Sequence, residues 1–358
     1  MKRRLSVLVA GAALLATSLA WSQSRPLKVL LLYDMEGVSG VTDIKQTGFT
    51  HSAEYTVGRT SLTADVNAAI AGLKAGGATE IVVVDGHGSG NSDTPDVFED
   101  QLLAPVKMIA RDRPFDIYMD SYDQSIDAIV AIAMHAGAGN RSGFISHTYT
   151  AEDVEYRVNG VPFNETMILA MGAARLKIPV VMVSGDDQLE RELRRHLPWV
   201  KYAAGKHAVD RSRAESFPRE EVSRRIEAAA REAVAALDSA RLPEASASYR
   251  FALTFQDETQ ARYAALVPGS ELLADQLTVQ FRTADFEEGY RQSLRLIRLA
   301  VAANQITAMQ SVLGAQPNAT ALRLAYGEWL DNRFLNRLIT TEAASPASAP
   351  PRRYWGAR

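Results

Sequence analysis

The sequence predicts an α/β fold, namely a three-layer αβα domain with a mainly parallel sheet plus a smaller α+β portion. Four short apolar runs rich in valine and isoleucine are typical of strands buried on both faces of a parallel sheet, and they lie at 28–33, 81–84, 128–134 and 180–183. Helical spacing of apolar residues lies between some of these runs, at 61–75 and 164–176. Strands that alternate with helices favour a layered α/β domain, which we expect to span 27–215.

The remaining chain is patterned differently. Asn159-Gly160 lies between two extended segments and predicts a hairpin inserted at 148–163. The α+β portion, 216–304, is expected to contain a helix at 220–237, strands from Tyr249 and at 277–282, and a helix at 286–303. A helical extension is predicted within 305–340. The last segment, 341–358, is rich in Ala, Ser and Pro and is predicted to be disordered.

Residues 1–22 are predicted to be a secretory signal peptide. Lys2, Arg3 and Arg4 precede an apolar run that ends near Ala20 and is short for a membrane span. An uncleaved anchor is the alternative. Cleavage would make the protein periplasmic or secreted, without membrane attachment, and would leave about 335 residues, enough for one large or two modest domains.

The composition excludes several kinds of chemistry. Without cysteine, the chain has no disulfide, no thiol nucleophile and no thiolate metal ligand, so any metal site must use His, Asp and Glu. Loss of the three positive charges of the leader would change the formal net charge from -3 to -6. Scattered basic residues on an acidic chain predict no nucleic-acid partner.

Ionisable residues follow each of the four apolar runs. In chain order they are Asp34 and Glu36, then Asp85 and His87, then His135, then Asp186 and Asp187. Ligands of open α/β sheets bind beyond the carboxyl ends of the strands, so we expect these side chains to form one polar cluster. Asp34 and Glu36 are two residues apart, and an extended backbone would point both to one side.

The residue types in this cluster are those that bind zinc. Two-metal hydrolases hold their ions about 3.5–4 Å apart with a bridging carboxylate. Glu165, at the start of a predicted helix, offers a third carboxylate, although the helix dipole also favours an acidic residue there. Asp85 is expected to orient His87 or to cap a turn, and Asp186-Asp187 equally suit a helix cap.

Six motifs occur in order between about Leu27 and Ala303. They are Asp34-Met35-Glu36-Gly37-Val38-Ser39-Gly40, Asp85-Gly86-His87, Met134-His135-Ala136, Gly143-Phe144-Ile145-Ser146-His147, Asn159-Gly160 with Asn164-Glu165, and Val183-Ser184-Gly185-Asp186-Asp187. Together they resemble the motifs of the DppA-type zinc-dependent D-aminopeptidases. Two departures bear on substrate choice and assembly, which the resemblance therefore predicts less directly than the metal site. The interval from His135 to His147 is one residue longer than expected for the family, and the chain beyond Gln305 has no counterpart in it.

The resemblance implies two Zn2+ per subunit. Asp34 would bridge the two ions, Glu36 and His87 would complete one site, and His135 and Glu165 would complete the other. The residues alone leave zinc and manganese both open.

The resemblance also implies what the site does. His147 would be the catalytic histidine, and the reaction would release N-terminal D-residues of the D-Ala type from short peptides. Our hypothesis is that His147 acts as general acid/base, with stabilisation of the tetrahedral oxyanion as the alternative. Asp186 or Asp187 is a candidate anchor for the amino terminus of the substrate. The implied assembly is a ring-shaped homo-oligomer, a decamer of stacked pentamers.

Two other functions fit a cluster of this kind. One is another metal-dependent hydrolase, such as an amidase or phosphatase, although no arginine cluster or phosphate-cradling loop accompanies the ligands. The other is a periplasmic peptide- or solute-binding protein. Five metal-type ligands at strand ends favour the enzyme, because a solute receptor does not need them.

Overall fold

The computed structural model describes residues 26–91, 93–151, 153–339 and 353–356. The predicted signal peptide lies outside this range, as does most of the predicted disordered tail. The strands are β1 (Lys28–Tyr33), β2 (Glu80–Asp85), β3 (Lys107–Met108), β4 (Ala128–Met134), β5 (Asp153–Val158), β6 (Val161–Pro162), β7 (Val180–Asp186), β8 (Lys201–Asp210), β9 (Arg213–Ser216), β10 (Tyr249–Phe255), β11 (Glu271–Leu272) and β12 (Thr278–Thr283).

Seven helices of seven residues or more accompany these strands in the described part of the chain. They are α1 (Ser52–Ala75), α2 (Glu165–Ala174), α3 (Asp187–His196), α4 (Arg219–Ala235), α5 (Glu258–Ala264), α6 (Phe286–Gly314) and α7 (Ala319–Ile339). None of the helices in the described residues is long and apolar enough to cross a membrane.

The larger sheet has the strand order β3-β2-β1-β4-β7-β8-β9. All of its pairs are parallel except β8 with β9, so the four apolar runs of the sequence form adjacent parallel strands. The chain adds β2 and β3 on one side of β1 and then β4 on the other. This reversal of strand order creates a crevice between β1 and β4, the usual ligand position in such sheets.

Helices cover both faces of the larger sheet. Alternate residues of β1 point to opposite faces: Leu30 and Leu32 join a core with α2 and α3, whereas Val29 and Leu31 join a core with α1 and α4. The three-layer αβα architecture and the mainly parallel sheet predicted from the sequence are therefore confirmed.

The smaller sheet is antiparallel, with the order β11-β12-β10-β5-β6. Its strands β5 and β6 form the predicted hairpin, which pairs with β10 of the second portion although it lies within 148–163 of the first. Phe251 and Phe286 pack in the same core as α2, so the two portions share buried apolar surface. The domain boundaries themselves stay a prediction.

Two helices extend beyond their predicted bounds. Helix α1 begins nine residues before Ser61, and α6 continues eleven residues past Ala303. In α1 the added turns are held by tertiary packing, because Tyr55 is buried and Gly58 lies against the backbone of Gln46.

Residues 353–356 are ordered against the larger sheet, which corrects the disorder predicted for this part of 341–358. Tyr354 and Arg111 exchange backbone hydrogen bonds of 2.7 and 2.8 Å. Gly356 is buried beside Asp85 at the end of β2. The composition of 341–358 predicted disorder because composition carries no information about backbone contacts with distant residues.

Gly37 brings the turn after β1 close to β4. Its N–H donates to the carbonyl oxygen of Ala133 at 2.8 Å, and a Cβ at this position would lie 2.0 Å from the carbonyl oxygen of Met134. No side chain fits there without a backbone shift. The glycine therefore sets the distance between the two strand ends that carry Asp34 and His135.

We expect Gly37→Ala to destabilise the protein by about 1–3 kcal/mol, because overpacking at a rigid backbone contact costs that much. Thermal unfolding followed by circular dichroism measures the effect. Gly327→Ala is the matched control, since nothing lies within 4 Å of its added methyl group and alanine favours a helix. An unchanged melting temperature of Gly37→Ala would contradict the close approach.

Candidate metal centre

The candidate metal ligands lie at the carboxyl edge of the larger sheet. Asp34 and Glu36 follow β1, His87 follows β2 and His135 follows β4. These strands are neighbours in the order β2-β1-β4, and the strand order reverses between β1 and β4. Glu165 reaches the same edge as the first residue of α2, where the Asn164 side chain accepts a hydrogen bond from the N–H of Met167 and caps the helix.

The side chains form two groups of three. One contains Asp34, Glu36 and His87, the other His135, His147 and Glu165, and within each group the possible ligand atoms lie within 4.8 Å of one another. Asp34 connects the groups, because its Oδ2 lies 3.3 Å from His135 Nε2. The structure thus brings together all six residues predicted as metal ligands or catalytic histidine. Their individual roles stay predictions.

The cluster contains polar atoms without a partner. Five buried side-chain N or O atoms of the described residues make no hydrogen bond, and three of them are Asp34 Oδ2, Glu36 Oε2 and His135 Nε2. Buried polar atoms are otherwise almost always paired, since leaving one unpaired costs about 1–3 kcal/mol. Carboxylate oxygens and an imidazole nitrogen that converge unpaired fit the coordination of zinc.

The orientation of the two ligand-type histidines also fits a metal site. His87 Nδ1 lies 2.7 Å from Asp96 Oδ2, and His135 Nδ1 lies 2.9 Å from the carbonyl oxygen of Ala136. These oxygens can only accept, so Nδ1 carries a proton in both rings. In the neutral ring, Nε2 is left with its lone pair directed at the carboxylates. Metal-bound histidines are usually held in this way through their second nitrogen.

The carboxylates of the cluster have strongly shifted pKa values. Burial and the neighbouring Glu36 charge raise the pKa of Asp34 from 3.8 to about 8. Burial alone would also raise the pKa of Glu36 and Glu165. For these two groups the histidines outweigh burial: His87 and His135 hold the pKa of Glu36 well below its usual value, and His135 lowers the pKa of Glu165 to about 2.

The histidines respond to the same negative potential. Burial lowers the pKa of His87, but Glu36 and Asp96 outweigh it and raise the pKa well above the usual value. Burial also lowers the pKa of His135, but Glu165 and Asp34 outweigh this effect and raise the pKa well above the usual value. A site that attracts protons so strongly will also attract divalent cations.

His147 differs from the other two histidines. Burial and the charge of His135 lower its pKa, so it is neutral near pH 7. Its Nδ1 lies 2.8 Å from the carbonyl oxygen of Ile145, which leaves the lone pair on Nε2, 3.8 Å from Glu165 Oε1. The ring stacks on His135 at 4.1 Å between centroids. This position suits either proton transfer or metal ligation.

Asp186 and Asp187 are both engaged in structural hydrogen bonds. Asp186 caps α3 by accepting from the N–H groups of Gln188 and Leu189. The helix cap is one of the two roles that the sequence predicts for this pair. Asp187 accepts from the N–H of Ala208 at 2.9 Å, and its other oxygen lies 2.8 Å from His207 Nδ1. An additional role in binding substrate stays a prediction.

The structure adds three supporting residues that sequence reasoning missed. Asp96 holds the ring of His87, whereas Asp85 accepts backbone N–H groups of the turn. The Tyr118 hydroxyl donates to Glu165, and the buried ammonium of Lys206 donates to the carbonyl oxygen of Glu36 at 2.6 Å. Burial lowers the pKa of Lys206 from 10.5 to about 7.

We expect Asp96→Asn to weaken zinc binding about 10–100-fold. A neutral amide holds the His87 ring less firmly than a carboxylate does, and it makes Nε2 a less basic ligand for the metal. A competitive titration with a chromophoric chelator measures the affinity. Asp100→Asn makes the same change at an exposed position and is the control. Wild-type affinity in Asp96→Asn would exclude Asp96 as a support of the centre.

A buried cluster of His, Asp and Glu at the switch point of a parallel sheet is the arrangement expected of a metal-dependent hydrolase. Comparison with known proteins identifies the family. The family model described as D-aminopeptidase matches residues 27–294. A D-aminopeptidase of Bacillus subtilis (strain 168) is 28% identical over 278 residues, which cover 77% of this chain and 98% of that protein.

A solved structure is similar over the same extent. The Zn-dependent D-aminopeptidase DppA from Bacillus subtilis, described as a self-compartmentalizing protease, superposes with a TM-score of 0.68 at 27% identity, covering 77% of this chain and 98% of its own. The chain belongs to the D-aminopeptidase family, and it is a hydrolase of the metallo-aminopeptidase type. The family predicted from the ordered motifs is confirmed.

Proposed function

We propose that this protein is an exported aminopeptidase that uses two Zn2+ per subunit to release N-terminal D-residues, of the D-Ala type, from short peptides. The observation that carries the proposal is the pair of three-residue groups joined through Asp34. A single ion would not need two such groups. Within the described residues, no other cluster of three or more His, Asp and Glu side chains offers ligand atoms in this way.

Two zinc ions in this centre would polarise the scissile carbonyl group and activate water for attack on it. The protein would hold them through Asp34 as the shared ligand, Glu36 and His87 on one side, and His135 and Glu165 on the other. Lys206 and Gly37 fix the turn that carries Asp34 and Glu36.

His147 is the proposed general acid/base. Its neutral ring offers Nε2 to receive a proton from the attacking water, while Nδ1 stays bonded to the carbonyl oxygen of Ile145. Stacking on His135 keeps the ring beside the centre. The same Nε2 can return the proton to the leaving amine, which completes hydrolysis of the peptide bond without a second acid.

The preference for D-residues, the zinc and the assembly are proposed from the relatives. The related structure is named a Zn-dependent D-aminopeptidase and a self-compartmentalizing protease. For this chain we propose a ring-shaped homo-oligomer, a decamer of stacked pentamers, with short peptides as substrates. Export rests on the predicted leader, and sedimentation analysis and cell fractionation test assembly and export separately.

The decisive experiment assays D- and L-aminoacyl dipeptides with zinc-loaded protein before and after treatment with a chelator. We expect turnover of D-aminoacyl peptides, its loss with the chelator, its recovery with added zinc, and two zinc ions per subunit by elemental analysis. Turnover that resists the chelator would exclude the metal mechanism. Strict preference for L-residues would exclude the proposed substrate while leaving the metal centre intact.

A further inference from the structure

A short segment near residue 355 lies beside the candidate metal centre. Residues 353–356 are joined to the loop after β3 by the reciprocal backbone bonds of Tyr354 with Arg111. Gly356 packs closely against Asp85, the last residue of β2, because a Cβ at position 356 would lie 2.3 Å from the Asp85 carbonyl oxygen. His87 follows two residues later. The segment is therefore anchored next to a predicted metal ligand.

This segment encloses a small pocket. Its walls are the loop after β2, with His87, Ser89 and Asn91, and on the other side Tyr354 and Trp355, and its volume is about 130 Å³. Sites for drug-sized ligands measure roughly 300–1,000 Å³, so this pocket has room for a small group only. Trp355 is the largest side chain in its walls.

The side chain of the N-terminal residue is the part of a peptide substrate that this pocket concerns. In an aminopeptidase the scissile carbonyl belongs to the N-terminal residue, so the side chain of that residue must lie within a few ångströms of the metal centre. The pocket adjoins the centre at His87, whose Nε2 lies 3.3 Å from Glu36 Oε1. An N-terminal side chain bound at the centre would therefore be within reach of this pocket.

Trp355 also offers an unused hydrogen-bond donor. Its indole N–H is buried and has no acceptor among the described residues. Leaving such a donor unpaired costs about 1–3 kcal/mol. The size of the ring, which restricts the pocket, is the property of Trp355 that favours a small N-terminal residue.

We propose that Trp355 is a specificity-determining residue, which closes the pocket beside His87 against bulky N-terminal side chains. This inference rests on the proposed aminopeptidase function and deepens it by assigning the basis of substrate size. The segment lies outside residues 27–294, the part that matches the family model. The size limit is thus carried by a part of the chain that the family pattern does not include.

The test compares wild-type protein with Trp355→Ala, Trp355→Phe and Gly356→Val, all zinc-loaded. We measure kcat/KM for dipeptides that begin with D-Ala, D-Leu or D-Phe. Trp355→Ala and Gly356→Val should raise the D-Phe to D-Ala ratio at least ~10-fold, since single methylene groups in a pocket are worth ~10–200-fold. Trp355→Phe should retain most of the wild-type discrimination. Arg353→Ala, an exposed position outside the pocket, should keep the wild-type ratio.

A second measurement is independent of turnover. Calorimetric binding of free D-alanine and D-phenylalanine to the zinc-loaded variants reports the size of the pocket directly, and amide exchange at Arg111 and Tyr354 reports whether the segment is docked. Active wild-type enzyme with unchanged ratios in both Trp355→Ala and Gly356→Val would overturn the inference and leave the proposed function standing. Absence of turnover of every D-aminoacyl peptide would overturn the proposed function. In that case, equal binding of D-phenylalanine to wild type and Trp355→Ala would overturn the inference as well.

Discussion

Replacement of Asp34 by asparagine is expected to abolish zinc binding at the shared position and to remove activity. The Asp34 carboxylate contacts both groups of ligands: its Oδ2 lies 3.3 Å from His135 Nε2, and the charge of the adjacent Glu36 contributes to its raised pKa. An amide keeps the shape but loses the negative charge and one lone-pair site needed to bridge two cations. Loss of residues that merely orient a ligand costs about 10–100-fold in affinity, so loss of the bridge should exceed 100-fold.

Elemental analysis and chelator titration of Asp34→Asn measure this effect directly. Asp100→Asn, the same change on the surface, serves as the control. Removal of a buried carboxylate with a raised pKa should not unfold the metal-free protein, and circular dichroism establishes that the variant is folded. Two zinc ions bound at wild-type affinity would show that Asp34 is not the bridge.

Replacement of His147 by alanine is expected to lower kcat by about 10²–10⁴-fold, the usual contribution of a positioned acid/base group. The physical basis is the neutral ring with its free Nε2 beside Glu165. If the ring only transfers protons, the variant will keep two zinc ions per subunit. His51→Ala, at the exposed start of α1, is the control for loss of a histidine.

The zinc content of His147→Ala separates two roles. The His147 ring belongs to the same three-residue group as His135 and Glu165, and its geometry also permits ligation. A fall to one zinc ion would make His147 a ligand. Unchanged kcat with two zinc ions would remove it from the chemistry altogether. Only a large fall in kcat with full zinc supports the acid/base role.

Some of the fold and site was predictable because the pattern involved is local. Apolar runs of about six residues mark buried strands, and the residues directly after them must lie at one edge when the strands are parallel. Asp34, Glu36, His87 and His135 were found in this way. Glu165 needed the family resemblance, since an acidic residue at a helix start is common for electrostatic reasons alone.

Other elements were not predictable from local patterns. The first turns of α1 contain Gly58 and several β-branched residues, which weaken helical patterning, and only contact with the loop at Gln46 accounts for them. The hairpin at 148–163 was predicted, but not its pairing with β10. That pairing joins Phe251 to Val158, residues far apart in the chain.

The sequence by itself determined the residue types of the candidate metal centre, their order at the strand ends and the membership of the D-aminopeptidase family. Tertiary structure alone decided which residues support them. Asp96 reaches His87 across a loop, Tyr118 meets Glu165 from 47 residues away, and Lys206 meets Glu36 from 170 residues away. Tyr354 likewise pairs with Arg111, a residue far away in the chain. The reason is physical: hydrophobic periodicity specifies how neighbouring residues are arranged, whereas contacts between distant residues arise only when whole layers pack together.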